Sequence, residues 1–255
     1  MLNCKDLTFR YNRERPVLQG ASLDLEQGQI GIVLGKNGSG KTTLFKNILG
    51  IHSPKSGSIR YGGEDLTKMS RKERAKRIAY VPQDIQFGAL SVFDSVLLGR
   101  VSHFGLKASR ADYEAAQEIL TQMGLAEFAH RNVEALSGGE RQKIAIARAM
   151  AQEPSLMIFD EPTGNLDIAN EQLILREAKK LARQKNISIL SSLHDLNQAL
   201  HFGDKFFFMK DGKIKYAGGK ECFTREVIRD IFDIDVRIVE VDGQPVILGN
   251  TAIDS

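Results

Sequence analysis

A glycine-rich loop at residues 35–42 carries the residue types that bind a nucleoside triphosphate. It reads Gly-Lys-Asn-Gly-Ser-Gly-Lys-Thr and matches G-x-x-x-x-G-K-[ST] at every fixed position. Glycines let backbone amides curve around phosphate oxygens, and a helix that begins at the loop adds the positive end of its dipole. We expect ATP to bind here, with Lys41 at the β- and γ-phosphates and the Thr42 hydroxyl on Mg²⁺. An ordinary glycine turn is the alternative. The predicted contacts are Gly35, Asn37, Gly38, Ser39, Gly40, Lys41, Thr42 and Thr43.

Two adjacent acidic residues end an apolar stretch and have the chemistry that ATP hydrolysis needs. The segment 155–161 reads Ser-Leu-Met-Ile-Phe-Asp-Glu. Asp160, at the end of the expected strand, can enter the shell of Mg²⁺, and Glu161 can orient or deprotonate the attacking water. The simpler alternative is a pair of acids that only caps the end of a strand.

A third motif, Leu-Ser-Gly-Gly-Glu at residues 136–140, lies between the loop and the acidic pair. Phosphate binding within one subunit does not explain it. Taken alone, it is also compatible with the glycine-containing start of a helix.

Strands and helices alternate around these motifs. The apolar run at 30–34 directly precedes the loop, and such a run suits a strand buried on both faces. Residues 112–123 repeat their apolar positions with a helical period, within a longer helical segment at 84–135. The alternation predicts an α/β domain with a mostly parallel sheet. The expected strands are 7–11, 21–26, 30–34, 78–81, 156–159, 187–191 and 206–209, and the expected helices outside 84–135 include 42–49, 139–152 and 170–184.

The composition is that of an ordinary globular domain, with 255 residues of which 42% are hydrophobic and 26% charged. A net charge of +3 is too small for the basic face of a nucleic-acid-binding protein, so no nucleic-acid partner is expected. Cys4 and Cys222 lack the spacing of a disulfide framework or a zinc site. The N-terminus is too charged for a signal peptide and no apolar run is long enough to span a membrane, which predicts a soluble, cytosolic protein.

The three motifs, in this order, resemble the ATPase subunits of ABC transporters, whose signature usually reads LSGGQ. The resemblance covers nearly all of the chain up to about residue 220. It implies that the signature of one subunit closes on the γ-phosphate held by the other, in a head-to-tail homodimer that encloses two ATP molecules. Glu140 replaces the usual glutamine, which leaves the role of that position open. The signature residues that the resemblance assigns to the partner's ATP are Ser137, Gly138, Gly139 and Glu140.

The resemblance assigns further roles to single residues. Tyr11 resembles the aromatic that stacks on adenine, with a plain strand aromatic as the alternative. Gln83 resembles the glutamine that contacts Mg²⁺ and water, and His194 the histidine that contacts the γ-phosphate and supports the attacking water. Asp167, in the sequence Asn-Leu-Asp, resembles a contact to the opposite subunit, although it could simply cap a helix. The implied catalytic residues are Glu161, His194 and Gln83, and the implied Mg²⁺ ligands are Thr42, Gln83 and Asp160.

The same resemblance implies a fold and a division of the chain. A P-loop NTPase core with an N-terminal antiparallel β portion is expected at 1–83 and 136–220. The segment 84–135 corresponds to an inserted all-helical subdomain, which in transporters grips the membrane permease. Residues 221–255 form a C-terminal extension.

The implied function is an ATP-hydrolysing subunit that powers separate membrane permease subunits. Short segments at 91–105 and 194–199 and the C-terminal tail resemble importers of iron-siderophore, haem, vitamin B12 or oxyanions such as molybdate. A substrate-binding protein would act through the permease, and the ATPase would lie on the cytoplasmic face of the cell membrane. The alternative is a soluble ABC-type ATPase in iron-sulfur assembly or DNA maintenance. Glu161 and His194 disfavour a non-catalytic nucleotide-binding regulator.

Overall fold

The computed structural model describes residues 1–12, 16–162 and 168–249. The strands are β1 (Leu2–Phe9), β2 (Leu18–Leu25), β3 (Ile30–Leu34), β4 (Ser56–Tyr61), β5 (Glu64–Asp65), β6 (Ile78–Val81), β7 (Leu156–Asp160), β8 (Ser188–Ser192), β9 (Lys205–Lys210), β10 (Lys213–Gly218), β11 (Val236–Val241) and β12 (Gln244–Gly249). The α-helices are α1 (Lys41–Leu49), α2 (Arg71–Ala75), α3 (Val92–Leu97), α4 (Arg110–Gln122), α5 (Gly138–Met150), α6 (Ile168–Lys185), α7 (Leu196–Phe202) and α8 (Arg225–Phe232). Short 3₁₀ helices occupy Leu66–Lys68, Leu98–Ser102, Ala126–Phe128, Val133–Ala135 and Lys220–Cys222.

The chain divides into two compact units, with one boundary within the 3₁₀ helix Leu66–Lys68 and the other within β8. The first unit contains Met1–Thr67 and the chain from Ser191 onward. The second unit contains Lys68–Leu190, so the helical segment 84–135 lies within it.

Most of the expected elements are confirmed, with shifted ends. β3 covers the five residues expected, and all five are buried. β7 extends one residue further than expected and includes Asp160. The strand expected at 7–11 is wrong in its bounds, because β1 begins at Leu2 and ends at Phe9, so Tyr11 lies beyond it.

A bulge in β1 explains this error. The pairing of β1 with β2 shifts between Cys4 and Leu7, and Asp6 within the bulge has a left-handed φ of 50°. The extra residue breaks the alternation of inward and outward side chains, so a strict period of two misses the first half of the strand.

The first unit contains an antiparallel sheet in the order β2-β1-β4-β5, which confirms the antiparallel portion at the N-terminus. In the same unit β3 pairs with β9 in parallel, and β9 pairs with β10 as an antiparallel hairpin. The continuous apolar runs of β3 and β9 are buried, as strands covered on both faces require.

The second unit combines parallel strands with helices. β6 pairs in parallel with β7, and α3 packs on both α4 and α5. A buried ion pair fixes α4 to the segment before it, because Arg100 donates to Asp112 at 3.2 Å and also to the carbonyl oxygen of Ala151. The parallel strand pairs of the two units confirm the α/β class. Within the described ranges, no helix is long and apolar enough to cross a membrane.

The C-terminal extension packs against the rest of the first unit at two places. Phe223 packs edge-on against Phe206 and Phe208 of β9, just before α8. The side chain of Asn197 on α7 donates to the carbonyl oxygen of Ile247 at 3.0 Å and accepts from its amide at 2.8 Å. These two hydrogen bonds satisfy the backbone groups of Ile247 on the edge of β12 that does not pair with β11.

Candidate functional site

The glycine-rich loop connects β3 to α1 and lies unusually close to β9. A side chain at Gly35 would place its Cβ 2.3 Å from the carbonyl oxygen of Met209, so only glycine fits there. Gly40 has a left-handed φ of 110° and precedes the first residue of α1. These two glycines let the backbone turn sharply at the start of the helix, where a phosphate can approach the backbone amides.

The side chains of the loop suit an anion. Lys41 is buried, and its Nζ donates to the carbonyl oxygens of Gly35 at 2.8 Å and Lys36 at 3.3 Å, which holds the ammonium against the loop. The hydroxyl oxygen of Ser39 is buried and has no hydrogen-bond partner among the described residues. No described side chain caps α1. A buried hydroxyl without a partner, an ammonium and a helix N-terminus fit a triphosphate.

Tyr11 lies beside this loop and not on a strand. Its ring is 56% exposed and packs edge-on against Phe9 and His52. Its hydroxyl forms a hydrogen bond of 3.2 Å with Thr43 on α1. The structure therefore places an exposed aromatic surface next to the helix that follows the loop, where an adenine could stack.

A contact between the loop and the C-terminal extension was not expected from the sequence. Lys36, inside the loop, donates to Asp233 at 2.5 Å. Asp233 follows α8 in the left-handed conformation, with a φ of 55°. Lys210 bonds to Asp230 of α8 and lies 3.8 Å from Asp233, so two lysines of the first unit hold the end of this helix.

His194 lies at the carboxyl end of β8, two residues before α7, and its side chain is exposed. Asp195 caps α7 by accepting from the amide of Gln198 at 2.8 Å. The helix start thereby fixes the backbone next to His194.

The acidic pair lies at the carboxyl end of β7, in the second unit. Asp160 is 4% exposed, whereas Glu161 is partly exposed. Glu161 has a left-handed φ of 51°, which most non-glycine residues avoid. Such a conformation costs about 1–3 kcal/mol, and strained residues of this kind are enriched at active and ligand-binding sites.

Gln83 follows β6 and Pro82, and its side chain is exposed. Three residues earlier on the same segment, the hydroxyl of Tyr80 donates to Asp160 at 3.4 Å. No motif in the sequence points to Tyr80. The candidate Mg²⁺ ligands Thr42, Gln83 and Asp160 offer a hydroxyl, an amide oxygen and a carboxylate, which are the hard oxygen donors that Mg²⁺ prefers.

The Leu-Ser-Gly-Gly-Glu motif forms the start of α5. Ser137 is the N-cap, and its exposed hydroxyl donates to Glu140 Oε2 at 2.7 Å. Glu140 also accepts from the Ser137 amide at 2.9 Å, which completes a capping box. A Cβ at Gly139 would lie 2.7 Å from the side-chain oxygen of Asn170 on α6, so glycine allows the two helices to approach.

These hydrogen bonds lower the pKa of Glu140, with the Ser137 hydroxyl as the first cause and the Ser137 amide as the second. The carboxylate therefore stays charged at neutral pH, where a glutamine would be neutral. The expected dimer contact at Asp167 lies outside the described residues.

Comparison with known proteins places these motifs in one family. A family model described as ABC transporter matches residues 18–164. An ABC transporter ATP-binding protein of Methanocaldococcus jannaschii is 38% identical, over 97% of this chain and 97% of the relative. The iron(3+)-hydroxamate import ATP-binding protein FhuC of Bacillus subtilis is 35% identical, over 93% of this chain and 90% of the relative. The molybdate import ATP-binding protein MolC of Haemophilus influenzae is 35% identical, over 91% and 88%.

Solved structures agree with this result. A metal-chelate type ABC transporter in an inward-facing conformation has a TM-score of 0.83 and 32% identity, over 97% of this chain and 96% of that chain. A dimeric ATP-binding cassette in a post-hydrolysis state, bound to ADP and Pi, has a TM-score of 0.74 and 27% identity, over 86% and 98%.

Replacing Lys41 by alanine should weaken ATP binding by about 10- to 100-fold, because it removes a charged donor to the phosphates. Lys46→Ala, on the same helix but in its last turn, is the matched control. Titration with a fluorescent ATP analogue measures both dissociation constants. An unchanged constant for Lys41→Ala would contradict the assignment.

Replacing Glu140 by alanine should lower the free energy of unfolding by about 0.5–1 kcal/mol at pH 7, because the capping box is lost. The pKa of Glu140 is lower in the folded than in the unfolded chain. Its contribution to folding stability is therefore fully present above the unfolded pKa of about 4.3, and it is lost as the pH falls through the folded pKa. The difference from the parent in urea unfolding should therefore shrink below about pH 4. Glu134→Ala, at an exposed position before the motif, should show neither effect.

Proposed function

Because the chain belongs to the ATP-binding, ATP-hydrolysing proteins of ABC transporters, we propose that it is the ATPase subunit of an importer and powers separate membrane permease subunits. The geometry of the phosphate loop supports the nucleotide binding in this proposal, and the similarity to import ATP-binding proteins supports the transport. Lys41, the unpartnered hydroxyl of Ser39 and the start of α1 converge on one place.

Hydrolysis requires a metal-binding carboxylate and a group that acts on water. We assign the first role to Asp160, together with Thr42 and Gln83, and the second to Glu161, with His194 supporting the water. Mg²⁺, when bound, supplies the positive charge that stabilises the charge developing on the phosphates. The position of Glu161 directly after Asp160, at the carboxyl end of β7, supports its role.

The active assembly in this proposal is a head-to-tail homodimer. Ser137 is exposed at the N-terminus of α5, where a hydroxyl and the positive end of a helix can meet a phosphate held by a second copy. The similar dimeric cassette with ADP and Pi supports this arrangement. ATP binding then favours the closed dimer, and loss of the γ-phosphate removes the contacts that hold it.

An exposed apolar surface supports docking of a permease. Leu98 and Val101, on the 3₁₀ helix after α3, are 42% and 53% exposed, and Leu106, five residues later in the chain, is fully exposed. Apolar side chains grouped in this way favour a protein partner. In the proposal the ATPase lies on the cytoplasmic face of the membrane, and a substrate-binding protein acts through the permease.

The substrate class in this proposal is a metal chelate, such as iron-siderophore, haem or vitamin B12, or an oxyanion such as molybdate. The similarities to the iron(3+)-hydroxamate and molybdate import proteins support it.

Replacing Glu161 by glutamine should preserve ATP binding but lower turnover by at least about 100-fold, because the amide cannot accept a proton from water. ATP should then accumulate in a stable dimer. Phosphate release measures turnover, and light scattering on a sizing column with ATP measures the dimer.

Glu153→Gln is the matched control, because Glu153 is also a glutamate in the left-handed conformation, with a φ of 52°. It should hydrolyse ATP like the parent. Parent-like turnover of Glu161→Gln would refute the assigned role.

Replacing Leu98 and Val101 together by glutamate should prevent co-purification with the permease in detergent, because two charges would enter the apolar contact. Basal turnover of the isolated chain and its melting temperature should stay unchanged. Leu248→Glu, at a position 41% exposed on β12, is the control that should still co-purify. Co-purification of the double variant at the parent's level would show that this surface does not bind the permease.

A further inference from the structure

Tyr80 approaches the candidate magnesium carboxylate from a neighbouring strand. In the parallel pair of β6 and β7, Tyr80 lies opposite Ile158. Alternate residues of a strand share a face, so Asp160 lies on the face of Ile158, one step nearer the carboxyl end. The Tyr80 hydroxyl reaches along this face and donates to Asp160 Oδ2 at 3.4 Å. At this length the bond orients the carboxylate without holding it tightly.

The Tyr80 hydroxyl is the donor in this contact, because a carboxylate oxygen accepts. It engages one oxygen of Asp160, and a carboxylate has further lone pairs with which to bind a metal.

Tyr80 lines a cavity of about 160 Å³ within the second unit. The other lining residues come from the segment after β6, including Ile85, and from α5 and its C-terminal end, including Arg148 and Gln152. Tyr80 is therefore accessible from this cavity.

We propose that Tyr80 is a positioning residue for metal binding, which orients the Asp160 carboxylate and connects it to this cavity. The proposal rests on the function proposed above. The segment Tyr80-Val81-Pro82-Gln83 carries both Tyr80 and the candidate ligand Gln83, so one displacement of this segment changes two of the groups assigned to Mg²⁺.

The test is Tyr80→Phe, which keeps the ring and removes only the hydroxyl. With a non-hydrolysable ATP analogue bound, the dissociation constant for Mn²⁺, measured by electron paramagnetic resonance, should rise about 3- to 10-fold, as for loss of a group that supports a metal ligand. Affinity for the analogue in EDTA and the melting temperature should not change. Tyr113→Phe, at a half-exposed position on α4, is the control and should bind Mn²⁺ like the parent.

A second variant separates positioning from a general effect on structure. If Tyr80 acts through Asp160, then adding Tyr80→Phe to Asp160→Asn should raise the Mn²⁺ constant no further. An equal increase in both backgrounds would overturn the proposal, and so would an unchanged constant in Tyr80→Phe alone. Failure of the proposed function gives a different result, because the parent would then bind no Mn²⁺ together with the nucleotide analogue.

Discussion

A triphosphate binds only where backbone amides and positive charge meet without a side chain in the way, and this requirement organises the first unit. Gly35 can lie against Met209 because it has no Cβ, so the loop is pressed onto β9. Lys41 then finds its acceptors in the backbone of the same loop. The parallel pairing of β3 with β9 is therefore a condition of phosphate binding as much as a part of the core.

In the second unit two carboxylates accept hydrogen bonds from hydroxyl groups. The buried Asp160 accepts from the Tyr80 phenol, and Glu140 accepts from Ser137 in the capping box of α5. The Ser137 hydroxyl is thus occupied within its own subunit in this conformation. In the proposed dimer, a phosphate from a second copy would compete with the Glu140 carboxylate for that hydroxyl, which would give a glutamate at this position a physical meaning.

The local parts of the fold were predictable from the sequence, and the distant contacts were not. The apolar run of β3 and the glycine pattern after it each consist of residues that are adjacent in the chain, so both could be predicted from the sequence. The contact of Tyr80 with Asp160 depends on the register of two strands, which no short pattern encodes. Lys36 and Asp233 lie in different segments of the chain, and each reads as an ordinary surface charge. The first half of β1 was not predicted, because the bulge at Asp6 interrupts the alternation of buried and exposed side chains that indicates a strand.

The closeness of Gly35 to Met209 also has a consequence for synthesis of the chain. The loop leaves the ribosome long before β9, and at about 5–20 residues per second the delay is roughly 9–35 s. During that time the motif is complete as a sequence but lacks the strand on which it rests. The loop therefore reaches its final packing only when most of the polypeptide exists, and we expect nucleotide binding to begin late in synthesis.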